Sequence, residues 1–301
     1  MNCVMTIPNT IHFIFGMDEQ FGGKPFSYIH YLAVRSALAV NKPDQVVLHY
    51  GFEPRSEWWE AVKPYVILDR VTPPSKIFGK PLRHFAHRSD ILRLEIMRCE
   101  GGIYLDMDVF CVRSLAPLRA HNLVMGIEPN QGLCNAVILA EPNAPFINLW
   151  VESYREFDQE LWNYHSVYVP YRLAQAYPHL INVVDEYTFF FPMYDDPLSP
   201  LLWRSYLPPS SRLLGAWSDI QCSVRHRDLG VPIRRLPYLH HVFWTSAAYY
   251  RRLRQSFCLH LWESAWWELY LRDLRPDTMR FSYGLFRKLV DEILPDETKA
   301  R

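Results

Sequence analysis

The chain has 301 residues, of which 49% are hydrophobic and 21% are charged, a composition that can bury a large core. Its 32 basic and 32 acidic residues balance to a formal net charge of zero, which argues against a nucleic-acid-binding protein, because such domains carry a basic excess. The six cysteines include no C-x-x-C pair, which disfavours a structural zinc site.

The first part of the chain alternates between strand-like and helix-like segments. Apolar runs rich in β-branched and aromatic residues predict strands over residues 10–15, 46–50 and 65–68. Apolar residues at helical spacing predict helices over residues 27–40 and 57–62, between those strands. This alternation predicts an α/β fold with parallel strands in its sheet.

The next segment combines a long helix with a short strand that ends in acidic residues. Helical spacing over residues 82–99 stops at a pair of glycines, and an apolar strand is predicted over residues 103–105. Asp106 and Asp108 follow directly, at the carboxyl end of this strand. Ligands of open α/β sheets bind beyond the carboxyl ends of the strands, so the acidic pair lies where chemistry is expected.

The remainder of the chain predicts two further strands, a mainly helical stretch, a short strand, a proline-rich irregular region and a helical C-terminal stretch. In that order, these segments cover residues 122–127, 135–140, 144–177, 181–184, 192–237 and 243–294. No apolar run reaches the ~18–20 residues that a membrane-spanning helix needs. The N-terminus has no signal-peptide pattern, so the expected location is cytoplasmic, with peripheral contact at the cytoplasmic membrane face left open.

Asp106 and Asp108 have the side chains that a shared metal ion would need. Carboxylate oxygens suit Mg²⁺ or Mn²⁺, and such a cation suits a diphosphate. An isolated pair at this spacing is more often a solvated loop end, but here Asp90 and Arg93 precede it, three residues apart on one helical face. The composite of Ser-Asp-x-x-Arg and then Gly-Gly-Ile-Tyr-Leu-Asp-x-Asp is longer than chance would be expected to produce.

This composite lies within residues 87–113, which resemble the D-x-D sugar transferases of glycosyltransferase family 32. Residues 7–16 resemble the opening strand of that family, and residues 260–266 resemble its closing His/Ser/Trp segment. The resemblance implies an α/β fold of the GT-A type, in which a Rossmann-like mixed sheet flanked by helices carries the metal motif. It also implies that C-terminal helices pack on the catalytic domain.

Carried over by position, the resemblance assigns the metal to Asp108, with Asp106 contacting the ribose or donor sugar and the metal. Asp90 and Arg93 would bind hydroxyl groups of the sugar. Phe15 lies where relatives often place a tryptophan that stacks on the base, and a phenylalanine ring can stack as well.

The closing segment completes the predicted site. By the same resemblance, His260, Ser264 and Trp266 would close over the diphosphate, and His260 or Ser264 would complete the metal shell. The remaining candidates for donor binding are His12, Ser89, Tyr104 and Asn135. His12 lies on an apolar strand, where a buried core position is the competing interpretation.

The resemblance implies a retaining transferase that uses Mn²⁺ (or Mg²⁺) to move a hexose from a nucleotide-sugar, with UDP-sugars preferred and GDP-mannose second. The acceptor would be a glycan, a lipid-linked saccharide or a protein. We predict one domain over residues 1–301, with the donor bound by residues 1–150 and the acceptor by residues 151–301, including the irregular region. Two alternatives stay open: a sugar-nucleotide hydrolase or degenerate binding module, and an unrelated metal-dependent phosphohydrolase.

Overall fold

The computed structural model describes part of the chain, namely residues 7–203, 236–280, 282 and 284–297. Most of the predicted irregular region, residues 192–237, lies outside the described residues. The chain divides into two compact units, Met1–Tyr194 with Gln255–Leu274 and Asp195–Arg254 with Arg275–Arg301. The predicted division at residue 150 falls inside the first unit, and the assignment of the donor and the acceptor to the two halves stays a prediction.

Strands of the described residues form one large sheet and two small ribbons. In chain order, the strands are β1 (Thr10–Phe15), β2 (Gln45–Tyr50), β3 (Ile67–Arg70), β4 (Lys76–Ile77), β5 (Lys80–Pro81), β6 (Gly102–Leu105), β7 (Val109–Cys111), β8 (Leu123–Glu128), β9 (Gly132–Ala140), β10 (Asn182–Val184) and β11 (Cys258–His260). The large sheet has the order β10-β8-β9-β6-β1-β2-β3. The ribbons pair β4 with β5 and β7 with β11, both antiparallel.

The large sheet is mixed because one strand is reversed. β9 runs antiparallel to both of its neighbours, β6 and β8, whereas the other strand pairs of this sheet are parallel. All residues of β6 and β9 are buried, and their sequences are nearly continuous apolar runs, as expected for strands covered on both faces. The predicted Rossmann-like mixed sheet flanked by helices is therefore confirmed.

Helices connect and cover these strands. They are α1 (Tyr28–Asn41), α2 (Glu57–Val62), α3 (Phe85–Cys99), α4 (Pro145–Ser153), α5 (Val169–Ala176), α6 (Glu186–Phe189), α7 (Pro200–Trp203), α8 (Leu236–Gln255), α9 (Glu263–Trp266), α10 (Pro276–Arg280) and α11 (Leu285–Ile293). α3 matters most for the site, since it lies against β6 and β9 and buries Asp90 and Arg93 along with its apolar residues. None of the described helices has the length and apolar character that crossing a membrane requires.

Two glycines allow α3 to turn directly into β6. Gly101 and Gly102 have φ angles of +65° and +97°, in a region that L-residues rarely adopt. A Cβ atom on Gly102 would lie 2.7 Å from the carbonyl oxygen of Thr10 on the neighbouring strand β1. The absence of a side chain therefore lets β6 start close beside β1. The residues that follow β6 then lie beyond the carboxyl ends of these two parallel strands.

Most predicted elements of the described residues are confirmed, with shifts of a few residues at their ends. The third strand begins at Ile67 rather than residue 65, because Lys63–Tyr65 forms a helical turn. Residues 243–294, predicted to be helical in character, are mainly helical, and the short strand β11 interrupts them. β7, which directly follows the acidic pair, was not predicted.

The second unit contains a small apolar contact of its own. Within it, α7 lies against α11, and the Trp203 and Phe286 ring centroids are 5.1 Å apart. The Ser282 hydroxyl donates a hydrogen bond to the carbonyl oxygen of Trp203, and Arg254 lies 3.4 Å from the carboxylate of Glu292. These contacts join segments that are far apart in the sequence.

Candidate active site

The ribbon of β7 and β11 brings a histidine to the acidic pair. β7 begins at Val109, immediately after Asp108, and Val109 is in register with His260 of β11. The Leu261 N–H donates to the Asp108 carbonyl oxygen at 2.9 Å. On its other side, β7 is tied to α1, because the Cys111 N–H donates to the Ser36 hydroxyl at 2.9 Å.

Asp106, Asp108 and His260 form a cluster whose ligand atoms lie within 4.8 Å of one another. His260 Nε2 is 3.3 Å from Asp108 Oδ1, and the Glu263 N–H donates to Asp108 Oδ2 at 2.7 Å. Burial acts to raise the pKa of Asp108, but His260 and the Glu263 N–H outweigh it and lower that pKa. Burial conversely acts to lower the pKa of His260, but Asp108 raises it above its ordinary value.

Arg93 links the acidic pair to the residues of α3. Its Nη1 lies 3.1 Å from Asp106 Oδ1 and donates to the Asn135 carbonyl oxygen at 2.8 Å, while its Nη2 is 3.6 Å from Asp90 Oδ1. The Asn135 amide donates to Asp90 Oδ1 at 2.7 Å. Burial raises the pKa of Asp90, although Arg93 and Asn135 offset part of this effect.

Tyr104 fixes the orientation of Asp106 from the strand side. Its hydroxyl donates to Asp106 Oδ1 at 2.6 Å, and the Arg93 guanidinium lies 4.6 Å from the centre of its ring. Burial raises the pKa of Tyr104 well above its ordinary value, so the phenol keeps its proton and remains a donor. The Tyr104 hydroxyl and the Arg93 guanidinium therefore both contact the same oxygen of Asp106, which restricts the movement of its carboxylate.

A cavity of about 290 Å³, here called the donor cavity, opens beside this cluster. Its lining includes eight of the predicted site residues: Phe15, Ser89, Arg93, Tyr104, Asp106, Asp108, His260 and Ser264. The Phe15 ring is stacked on Phe21, with ring centroids 5.7 Å apart and planes inclined by 15°. The structure thus brings most of the predicted donor-binding residues to one place.

A second cavity of about 530 Å³, here called the distal cavity, adjoins the first and shares Arg93, Asp106 and His260 with it. Asp90 and Asn135 line this cavity and not the donor cavity. The Arg93 guanidinium therefore lies where the two cavities meet.

Two predicted site residues lie away from both cavities. His12 is 0% exposed and lies 3.1 Å from His49, ring nitrogen to ring nitrogen, so its assignment as a donor-binding residue is corrected to a core position. Trp266 is 2% exposed, and its indole N–H donates to the Tyr194 carbonyl oxygen at 3.2 Å. It therefore packs in the interior and does not line either cavity.

The sequence interpretation missed several residues of the donor cavity. Lys24, His30 and Glu263 line it, and Glu263 contacts the other two, with distances of 3.6 Å to Lys24 Nζ and 3.0 Å to His30 Nε2. Glu263 lies within the segment that resembles the family's closing motif, which was a usable signal. Lys24 lies in a loop that carries no motif, and only the folded chain brings it to the site.

Comparison with known proteins identifies the motif region. Residues 44–125 match the family described as the glycosyltransferase sugar-binding region containing the DXD motif. These residues, which include the acidic pair, are similar to the sugar-binding region of the D-x-D glycosyltransferases. The predicted resemblance to D-x-D sugar transferases is thereby confirmed for residues 44–125.

Two curated relatives share part of their length with this D-x-D chain. It is 37% identical over 203 residues to glucan organizing enzyme 1 of Cryptococcus neoformans, a match covering 63% of this chain and 56% of the relative. It is 33% identical over 82 residues to inositol phosphoceramide mannosyltransferase 3 of Schizosaccharomyces pombe, covering 27% of this chain and 22% of the relative. The matched part of the chain thus spans about half, or less, of these relatives.

Glycosyltransferases are among the solved structures to which the chain is similar. The PaToxG glycosyltransferase is 17% identical with a TM-score of 0.41, and the match covers 84% of this chain and 89% of that one. The glycosyltransferase GlyE of Streptococcus pneumoniae is 12% identical with a TM-score of 0.46, covering 97% of this chain and 64% of that one.

Proposed function

We propose that this D-x-D chain is a retaining, divalent-metal-dependent glycosyltransferase that moves a hexose from a nucleotide-sugar to an acceptor. The observation that carries the proposal is the meeting of Asp106, Asp108 and His260 beside Arg93 at the carboxyl edge of the sheet. A charged donor needs both a binding site for its diphosphate and polar groups for its sugar, and the donor cavity offers both.

The side chains of this cluster fit a divalent cation. Asp106, Asp108 and His260 would hold it, since two carboxylates and an imidazole are a donor set that suits Mn²⁺, with Mg²⁺ as the alternative. When bound, the cation neutralises the charge that develops on the departing diphosphate. Lys24, which lines the same cavity, would add a second positive charge beside the phosphates.

In the retaining reaction, the acceptor hydroxyl attacks from the face that the diphosphate leaves. The bond from the anomeric carbon to the phosphate oxygen breaks as the bond to the acceptor oxygen forms, and the hydroxyl proton passes to the departing phosphate oxygen. Arg93 and Asp90 would hold hydroxyl groups of the hexose where the two cavities meet, because their side chains are fixed by each other and by Asn135. This scheme requires no protein base.

A UDP-sugar is the donor that we favour, with GDP-mannose second. The base would stack on Phe15, which lines the donor cavity. A hexose such as mannose is supported by the name of one relative, a mannosyltransferase. We propose a glycan or glycolipid acceptor, a role in polysaccharide biosynthesis, and a cytoplasmic location with peripheral contact at the membrane.

A thermal-shift screen of UDP-, GDP- and dTDP-sugars, each with Mn²⁺ and with chelator, tests the donor site. A ligand at a hundredfold excess over its Kd stabilises the native state by about 2.7 kcal/mol. We expect the sugars of one nucleotide to raise the unfolding temperature, and we expect this increase to disappear in chelator. A shift that persists in chelator would contradict the metal assignment. No shift with any donor would favour a degenerate module, and donor turnover that no acceptor accelerates would favour a hydrolase.

A further inference from the structure

The distal cavity differs from the donor cavity in the chemistry of its lining. Glu128, Gln131, Asn163 and Trp262 line it and do not line the donor cavity. Trp162 lines both. A molecule in the distal cavity would therefore touch an aromatic ring, two amides and a carboxyl group while lying next to Arg93, where the donor sugar is proposed to bind.

Trp162 is an exposed aromatic ring that is nevertheless held in place. It is 60% exposed, yet its ring packs edge-on against His84 with centroids 4.7 Å apart, and it is 5.6 Å from the ring of His87. The Trp162 carbonyl oxygen lies 3.4 Å from His87 Nε2. Such an open indole face offers a flat apolar surface, which matches the face of a pyranose ring formed by C–H groups.

An amide pair lies in the same cavity. The Asn163 amide donates to Gln131 Oε1 at 2.5 Å. This bond uses one amide hydrogen and one carbonyl oxygen, so the pair keeps both donor and acceptor capacity. Sugar hydroxyls both donate and accept hydrogen bonds, and they match such a mixed pair better than a phosphate does, because a phosphate only accepts when ionised.

The charges of the distal cavity also disfavour a phosphate. Among the described residues that line it, Arg93 is the only lysine or arginine, and its guanidinium is already shared by Asp90 and Asp106. Glu128 adds a further carboxyl group, which is 6% exposed. An anionic acceptor would therefore enter a carboxyl-rich space without an uncommitted arginine or lysine to receive it.

We propose that the distal cavity is the acceptor subsite and that it takes an uncharged sugar residue, with Trp162 stacked on the ring and Glu128 and the amide pair bonded to its hydroxyls. The role of this cavity as an acceptor subsite rests on the proposed transferase function. Binding of a sugar in the cavity can be measured separately. A glycan fits this site, whereas an acceptor that carries a phosphate beside the attacking hydroxyl does not.

Saturation-transfer NMR with methyl α-mannoside, maltose and inositol 1-phosphate tests the subsite without requiring turnover. The spectra are recorded with Mn²⁺ replaced by Mg²⁺ and with UDP or GDP present. We expect saturation of a neutral sugar by the wild type and at least a fivefold weaker signal for Trp162→Ala and Glu128→Gln. Trp162→Phe should retain most of the signal, because it keeps a stacking face. Glu95→Gln and Tyr177→Ala, at exposed positions outside the cavity, should match the wild type.

Three results would overturn the subsite: no saturation of either neutral sugar by the wild type, equal saturation of inositol 1-phosphate, or unchanged signals in both Trp162→Ala and Glu128→Gln. Donor binding is measured alongside, by the thermal-shift screen with UDP- and GDP-sugars. A wild type that no donor stabilises counts against the proposed function, and that failure is distinguishable because sugar binding is measured independently. Thermal unfolding of each variant confirms that a lost signal does not reflect a lost fold.

Discussion

Asp90 and Asp108 are both buried carboxyl groups, but their surroundings act on them in opposite directions. Burial raises the pKa of Asp90 more than Arg93 and Asn135 lower it. At Asp108, burial also acts to raise the pKa, but His260 and the Glu263 N–H outweigh it. The surroundings of Asp108 therefore favour its negative charge, whereas burial disfavours the charge of Asp90 and Arg93 offsets only part of that effect.

Replacing Asp108 with Asn should abolish transfer while the fold is retained. The amide oxygen can still accept the Glu263 N–H, but the charge that a divalent cation needs is lost. We expect kcat to fall about 1,000-fold, since charge stabilisation by a metal amounts to several kcal/mol. Steady-state kinetics and metal titration by calorimetry check this, with Asp44→Asn at an exposed position as the control. Wild-type metal affinity in Asp108→Asn would refute the assignment.

Replacing Arg93 with Lys should cost most of the activity although the charge is kept. The guanidinium contacts Asp90, Asp106 and the Asn135 carbonyl oxygen at once, and a single ammonium group cannot reproduce that fork. We expect a fall in kcat of about 100-fold, the scale of a misplaced reactive group. Kinetics on folded protein, verified by thermal unfolding, provide the measurement. Unchanged kinetics would remove Arg93 from the sugar site.

At the scale of elements, the sequence predicts those features that local pattern determines. Helix α3, the strand that follows it and the acidic pair at the end of that strand are set by apolar spacing and two glycines. β7 and β11 have three residues each, too few for a periodic pattern, and they form by pairing with each other. His260 could therefore be assigned to the metal only through the family resemblance.

Some residues of the site can be recognised from local sequence, whereas others are brought together only by the folded chain. Asp106, Asp108, Asp90 and Arg93 lie in one continuous motif, and the motif predicted them. Lys24, Glu128 and Trp162 lie in separate segments whose local sequence carries no sign of a binding role. Their importance depends on which side chains face one cavity, and that is a property of the folded chain.

The connection between α3 and β6 should not tolerate a side chain. Gly102→Ala combines an unfavourable φ of +97° with an approach of 2.7 Å to the Thr10 carbonyl oxygen, and we expect it to lower the free energy of unfolding by about 2–4 kcal/mol. Gly79→Ala is the matched control, because its φ is +79° but no atom lies within 4 Å of the added carbon. We expect Gly79→Ala to lower the free energy of unfolding by about 1 kcal/mol. Equal losses in urea unfolding would show that the contact with Thr10 contributes nothing.

At the scale of the whole molecule, buried histidines link stability to pH. Burial, with help from His49, lowers the pKa of His12 from 6.5 to about 3. Between these values the unfolded chain binds a proton that the folded chain does not, so stability falls as the pH drops below 6.5. Burial also lowers the pKa values of His84 and His165, which act in the same direction. At His260 the raised pKa acts in the opposite direction, because its contribution is lost as pH rises.

His12→Asn should therefore reduce the loss of stability on acidification. Between pH 7 and pH 5 we expect the wild type to lose about 2 kcal/mol more than the variant, since each pH unit corresponds to about 1.4 kcal/mol for one proton. Urea unfolding at the two pH values measures this difference, and the constant cost of the smaller side chain cancels. His179→Gln, at an exposed position, is the control. Parallel losses in the wild type and His12→Asn would contradict the prediction.

The ribbon of β7 and β11 also has a consequence for the protein during its synthesis on the ribosome. The chain leaves the ribosome with both aspartates long before β11 exists, and the N–H that binds Asp108 comes from a residue 155 positions later. A nascent chain halted before β11 would contain the acidic pair and every strand of the large sheet, but not His260 or Glu263. Under the proposed function, synthesis through Glu263 is thus a condition for sugar transfer, and chains that terminate before β11 would be inactive.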